Sequence, residues 1–212
     1  MESPIPPETY DAIIFDLGGV ILPLYPQASI DALSALLHKD AAELYTLSQQ
    51  TDVFDKFERG EISAAAFRKV VTQDAPRPIS DETFDDAWCA MLSPIPEYNL
   101  DLLLDLKEQK RTFLLSNTNV IHVERFLADY SRSYENLRPS FDAHFEVVHF
   151  SHDLGMRKPE QHIFLELIRR HSLARDRTLF VDDNHENIAA AKELGLLALH
   201  HPTNSPLVPR FR

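Results

Sequence analysis

Five short apolar runs punctuate the chain: Ala12 to Phe15, Thr112 to Ser116, Phe145 to Phe150, Thr178 to Asp182 and Leu196 to His200. Runs this short, with little polar alternation, read as strands covered on both faces. Between the later runs, Leu100 to Gln109, Val120 to Tyr130, Gln161 to His171 and Glu186 to Leu194 carry apolar residues at helical spacing. Gly195 stands where the last of these helices stops. Strand alternating with helix predicts an α/β fold, in which a parallel sheet with right-handed crossovers lies between two helical layers in a three-layer, Rossmann-like core.

One long interval breaks the alternation. Between the first two runs, Gln27 to Leu37, Ala41 to Gln50, Ala64 to Val71 and Thr83 to Leu92 read as helices, interrupted at Asp52, Gly60 and Pro76-Arg77-Pro78. We therefore expect a core formed by residues 1–22 and 97–212, a helical insertion at 23–96, and a polar, proline-containing tail at 203–212 without a functional signal. Pro23-Leu24-Tyr25-Pro26 and Ser93-Pro94-Ile95-Pro96 mark the borders of the insertion. Two stiff, adjacent linkers suit a hinge, although helix stopping alone accounts for the prolines.

With 33 acidic and 21 basic residues the net charge is −12, and no Lys/Arg stripe offsets it, so nucleic-acid binding is not expected. No apolar stretch approaches the roughly 18 residues of a membrane span, and Met1 to Tyr10 lacks the apolar segment of a secretory leader. The single cysteine, Cys89, lies in an apolar context and reads as a small core residue. A cytoplasmic location is the expectation. Nothing in the sequence sets an oligomeric state.

Chemistry gathers at the strand ends. The first strand runs into Asp16-Leu17-Gly18-Gly19, the second into Ser116-Asn117, the fourth into Asp182-Asp183, and Lys158-Pro159 follows the third. If the strands are parallel, all four sites share one edge, where open α/β sheets bind ligands. Each also has a plain structural reading: Ser116 and Asn117 as helix caps, Lys158-Pro159 as a helix entrance, and Asp182-Asp183 as a dipole-matched pair at a helix start. Their joint occurrence, in this order, favours a site.

These four segments resemble the motifs of the haloacid dehalogenase superfamily, and the helical insertion resembles that family's C1 cap. Phe57-Glu58-Arg59-Gly60-Glu61-Ile62-Ser63 is similar to a cap segment of its phosphatase-rich subgroup. The resemblance implies catalytic roles for Asp16 as nucleophile, Ser116 and Lys158. It also implies Mg²⁺ held by Asp16, Asp182, Asp183 and the Gly18 carbonyl, and a small phosphorylated metabolite bound by the Leu17-Gly18-Gly19 turn and Asn117. The expected reaction is phosphate-ester hydrolysis through an aspartyl-phosphate.

One residue departs from the pattern. Two positions after the nucleophile, where phosphatases of that family carry a second Asp as general acid and base, this chain has Gly18. Such a group is typically worth about 10²–10⁴ in rate, so the enzyme is slow, takes leaving groups that need little protonation, or borrows an acid from the cap or from water. Haloacid-type dehalogenation and a weakly catalytic binding or regulatory protein are the alternatives. None of the ten histidines shows a metal-ligand spacing. His149 and His152 read as structural, His185 as a neighbour of the acidic pair, and His200-His201 as packing or rim residues. Arg59 and Arg77 read as solvated charges or as contacts to a distal substrate anion.

Overall fold

A computed structural model describes residues 5–40, 52–134 and 136–211. Five parallel strands, β1 (Ala12–Phe15), β2 (Arg111–Ser116), β3 (Val147–Phe150), β4 (Thr178–Asp182) and β5 (Leu197–His200), form one sheet in the order β3-β2-β1-β4-β5. The third strand begins at Val147 rather than Phe145, because Phe141–His144 forms a 3-10 turn that buries Phe145 just before it.

Period-two alternation splits the strand side chains between two cores. Ile13, Phe15, Leu114, Leu179, Val181 and Leu199 face one side, where they meet Leu103 of helix α5 (Glu97–Lys107) and Phe126 of α6 (Val120–Tyr134). Ile14, Phe113, Leu115, Phe180 and Ala198 face the other, against Phe164 of α8 (Gln161–His171) and Ile188 of α9 (His185–Glu193). The expected three layers are present, and every residue of β1 is buried.

The insertion contains α1 (Pro26–Leu37), α2 (Val53–Glu58), α3 (Ala64–Val71) and α4 (Asp81–Cys89). The expected helix at 41–50 lies outside the described residues. Ser63 and Ser80 cap α3 and α4, each side chain accepting a backbone N–H at 3.2 Å. Phe57, Phe67, Phe84 and Leu33 fill a separate apolar cluster, which Ile121 of α6 completes from the sheet side. The two proline-marked linkers run side by side: Leu24 and Leu92 form an antiparallel bridge, and Tyr25 N–H donates to the Met91 carbonyl at 2.9 Å.

A second contact lies beyond the linkers. Arg157 pairs with Asp55 at 3.1 Å and Glu58 at 2.9 Å, and Arg59 pairs with Glu160. Gly60, at φ 68°, passes so near the turn Ser151–Leu154 (α7) that a Cβ would lie 2.3 Å from the His152 carbonyl oxygen. The segment after Pro202 is not a loose tail: Leu207 is fully buried, and Phe211 packs on Phe15 with ring centroids 5.6 Å apart. No helix among the described residues is long and apolar enough to cross a membrane.

Candidate active site

Chain order reverses across β1, since β2 and β3 lie to one side and β4 and β5 to the other. The carboxyl ends of β1 and β4 therefore flank the switch point at which such sheets bind ligands. Asp16 continues β1 and donates its N–H to the Val181 carbonyl at 2.9 Å, which sets its side chain beside Asp182 at the end of β4. Lys158, 1% exposed, bridges the two: its Nζ lies 2.8 Å from Asp16 Oδ1 and 2.7 Å from Asp182 Oδ2.

The lysine is held from behind. Asn117 accepts the Lys158 N–H at 2.9 Å and donates Nδ2 to the Lys158 carbonyl at 2.8 Å, so both ends of its amide are engaged on main chain. Asp182 also accepts Asn187 Nδ2 at 3.0 and 3.1 Å and the Asn184 N–H at 2.7 Å. Burial opposes the charge of Lys158, but the two carboxylates outweigh it and hold the ammonium above its ordinary range. Burial pushes the Asp16 carboxyl up to about 7, with Lys158 drawing it down and Asp182 pushing it further up.

Asp183 completes the acidic group, held through Oδ2 by the Thr203 hydroxyl at 2.8 Å. One oxygen from each of Asp16, Asp182 and Asp183 lies within 4.8 Å of the others. An all-oxygen donor set suits a hard cation such as Mg²⁺, and three clustered carboxylates with one lysine among them leave negative charge for such an ion to balance. The Gly18 carbonyl accepts no hydrogen bond from the described residues, so it too is available as a ligand.

These groups open on a cleft of about 220 Å³ lined by Asp16, Ser116, Asn117, Lys158, Asp183 and Asn187, with an apolar wall of Leu22, Leu24, Met91, Leu92 and Phe126. A model of haloacid dehalogenase-like hydrolases matches residues 10–195, which span every one of these site groups except the Thr203 that steadies Asp183. The chain belongs to the haloacid dehalogenase-like hydrolase family. A D-ribitol-5-phosphate phosphatase from Bacteroides thetaiotaomicron is 31% identical over 185 residues, covering 86% of this chain and 87% of the relative. A solved structure of a family enzyme from the same organism superposes with a TM-score of 0.87 at 30% identity, covering 96% of this chain and 98% of that one. A wild-type structure of that enzyme in complex with magnesium and inorganic phosphate gives a TM-score of 0.83 at 29% identity, covering 96% and 100%.

Within this haloacid dehalogenase-like site, several sequence readings change. Ser116 and Asn117 are not the caps of α6; Asn119 takes that place, its Oδ1 accepting the His122 N–H at 3.1 Å. Lys158 is buried rather than solvated at a helix entrance, and Asn184 caps α9 in place of the acidic pair. Gly19 was expected to offer its N–H to substrate, but that group donates to the Leu22 carbonyl at 2.9 Å as the turn closes. Glycine is required there for backbone reasons, because φ is 72° and a Cβ would lie 2.2 Å from Asp183 Oδ2. The N–H groups of Leu17 and Gly18 donate to no described residue.

Arg59 spends its charge on Glu160 rather than on a ligand, and Arg77 is exposed. His185 stacks on His200 with centroids 3.9 Å apart, while His200 Nε2 contacts the Asp183 carbonyl at 2.9 Å. Cys89 is buried, and burial pushes its thiol up to about 12, which leaves it unreactive. Thr203 and Asn204 were missed entirely. Their only local signal is that they are polar residues shortly after a strand end.

His122 lines the cleft but is engaged on both ring nitrogens, with Nδ1 facing Asn119 Nδ2 and Nε2 facing the Trp88 carbonyl, each at 3.2 Å. Burial lowers it to about 4, so it is neutral in the folded protein near pH 7. The unfolded chain takes up a proton on this histidine near pH ~6.5, before the folded protein does, so stability falls as pH drops from there towards about 4. The expected loss is on the order of 3 kcal/mol. Urea unfolding of the wild type and His122→Asn at pH 7 and pH 4.5 measures it. An equal acid loss in both proteins would show that this imidazole carries none of it.

Proposed function

We propose that the protein is a Mg²⁺-dependent phosphohydrolase that cleaves a small phosphorylated metabolite through an aspartyl-phosphate on Asp16. The observation that carries this reading is the convergence of Asp16, Lys158, Asp182 and Asp183 at one edge of the sheet, with Asp16, Lys158 and Asp183 lining the cleft and Asp182 buried behind them. The matched relative's phosphatase activity and the magnesium and phosphate bound by a similar enzyme support it. Retention of the acidic pair weighs against metal-independent dehalogenation.

The chain's own residues divide the work. Asp16 attacks phosphorus in line, and Lys158 keeps that carboxylate ionised next to an anionic substrate. The Ser116 hydroxyl, which makes no hydrogen bond to another described side chain, and the N–H groups of Leu17 and Gly18 receive the phosphoryl oxygens. Asn117 serves by fixing the main chain of Lys158. Asp16, Asp182, Asp183 and the Gly18 carbonyl would hold Mg²⁺, which when bound neutralises charge on the phosphoryl group. We read residues 23–96 as a C1-type cap that moves on the paired linkers and shields the site from water.

A panel of phosphate esters tests the reading: D-ribitol 5-phosphate, a sugar 1-phosphate, an acyl phosphate and nitrophenyl phosphate, each with Mg²⁺ and with EDTA. At least one should release phosphate with Mg²⁺ and lose that activity on chelation. Silence across the panel with Mg²⁺ present would leave a binding protein as the better description.

A further inference from the structure

The place of the missing acid is filled. A Cβ on Gly18 would lie 2.4 Å from Leu24 Cδ1 and 3.3 Å from Leu24 Cγ, so an isobutyl group occupies the volume a side chain at 18 would need. The main chain that carries this side chain is held at both its polar groups. Its N–H donates to Asn204 Oδ1 at 2.9 Å and its carbonyl accepts Asn204 Nδ2 at 2.8 Å. The Asn204 N–H donates in turn to the Gly19 carbonyl at 2.7 Å, so one asparagine ties the linker to the nucleophile turn.

Leu24 continues into the apolar wall formed with Leu22, Met91, Leu92 and Phe126. Among the described residues that line the cleft, the only carboxyl groups are Asp16 and Asp183, and the His122 ring is engaged on both nitrogens. A leaving group on this wall meets methyl groups and a phenyl ring where a proton donor would otherwise stand.

We propose that Leu24, held by Asn204, makes the site selective for small aryl phosphate monoesters, whose ring lies on the apolar wall and whose phenolate departs unprotonated. This inference rests on the phosphohydrolase reading above. In the first step an Asp16 oxygen bonds to phosphorus as the P–O(aryl) bond breaks, and the electron pair leaves on the phenolate oxygen. Water then attacks phosphorus, the bond to Asp16 breaks, inorganic phosphate departs and the proton passes to solvent. A phenol ionises near ~10 whereas an alkanol, like water, holds its proton to roughly 15–16, so only the aryl ester tolerates the missing acid. A cleft of about 220 Å³ admits one ring and little more.

The test is kcat/KM for Mg²⁺-loaded full-length protein across substituted phenyl phosphates and, as alkyl esters, glycerol phosphate and D-ribitol 5-phosphate. We expect aryl over alkyl by about 100-fold or more, the low end of what a general acid contributes, with a steep dependence on leaving-group acidity. Leu24→Asp, nearly the same shape, sets a carboxyl beside Gly18 and should raise glycerol phosphate turnover about tenfold or more and flatten that dependence. Leu24→Asn should not. Wild-type affinity by calorimetry should favour phenylphosphonate over methylphosphonate by about tenfold, a preference worth roughly the burial of one ring face, whether or not the variants fold. Alkyl esters cleaved as fast as aryl ones, a shallow wild-type dependence, or equal affinity for the two phosphonates would overturn the proposal. Hydrolysis of no ester at all would bring down the phosphohydrolase reading and this inference with it.

Discussion

Asp16→Asn is expected to lower phosphate-ester turnover by about 10⁴-fold or more while raising the thermal unfolding midpoint of the metal-free protein. The two effects come from one carboxylate by different routes. Asp16 and Asp182 share a single buried ammonium with Asp183 close beside them, and burial pushes the Asp16 carboxyl up to about 7, the mark of an anion the folded chain holds at a cost. Asparagine keeps the shape and an oxygen for Lys158 to donate to, and it removes one of the crowded charges. It cannot attack phosphorus. For a chain of this length each kcal/mol recovered moves the midpoint by about 2–4 °C. A lowered midpoint would show that Asp16 is not a strained anion, and turnover within tenfold of wild type that it is not the nucleophile.

Lys158→Met should abolish turnover as thoroughly and shift stability the other way, by about 3–5 kcal/mol, the usual result of taking one partner from a buried ion pair. Lys158 is 1% exposed and touches both Asp16 and Asp182, and Asp182 is completely buried, so loss of the ammonium leaves a buried carboxylate without its cationic partner. Denaturant unfolding of metal-free wild type, Asp16→Asn and Lys158→Met at one pH puts the three in order. The double variant should recover most of what the lysine variant loses, because it removes one of the two carboxylates left unpaired. Strict additivity would mean that the two side chains do not interact. Opposite stability shifts with equal loss of turnover would identify a site that sacrifices stability for chemistry.

The strands were legible because burial on both faces demands unbroken apolar runs, and the helices because one buried face imposes a period near 3.6. Asp16, Ser116, Lys158 and Asp182 were legible for a related reason. A parallel sheet sends every strand end to one edge, so the order of elements along the chain brings remote residues together without any knowledge of loops. The prolines at 23–26 and 93–96 likewise mark two segments that the structure pairs side by side.

Other features depend on loops that approach one another, and local pattern is silent about such contacts. Asn119 rather than Ser116 or Asn117 caps α6, because three residues without regular structure separate the end of β2 from the first turn of the helix. The segment read as a polar tail delivers Thr203 to Asp183 and Asn204 to Leu24, contacts that join residues 20 and 180 positions apart. Arg59 finds Glu160 across 101 positions. Sequence alone determined the parallel sheet, its helical layers and the strand-end positions 16, 116, 158 and 182 that meet at one edge, since periodicity and strand direction act through nearest neighbours and backbone geometry. Only the tertiary structure decided what stands beside Gly18, which nitrogens and oxygens of the turn are already spent, and that the last strand's continuation closes over the site. Those outcomes follow from which side chains of separate loops compete for the same few ångströms.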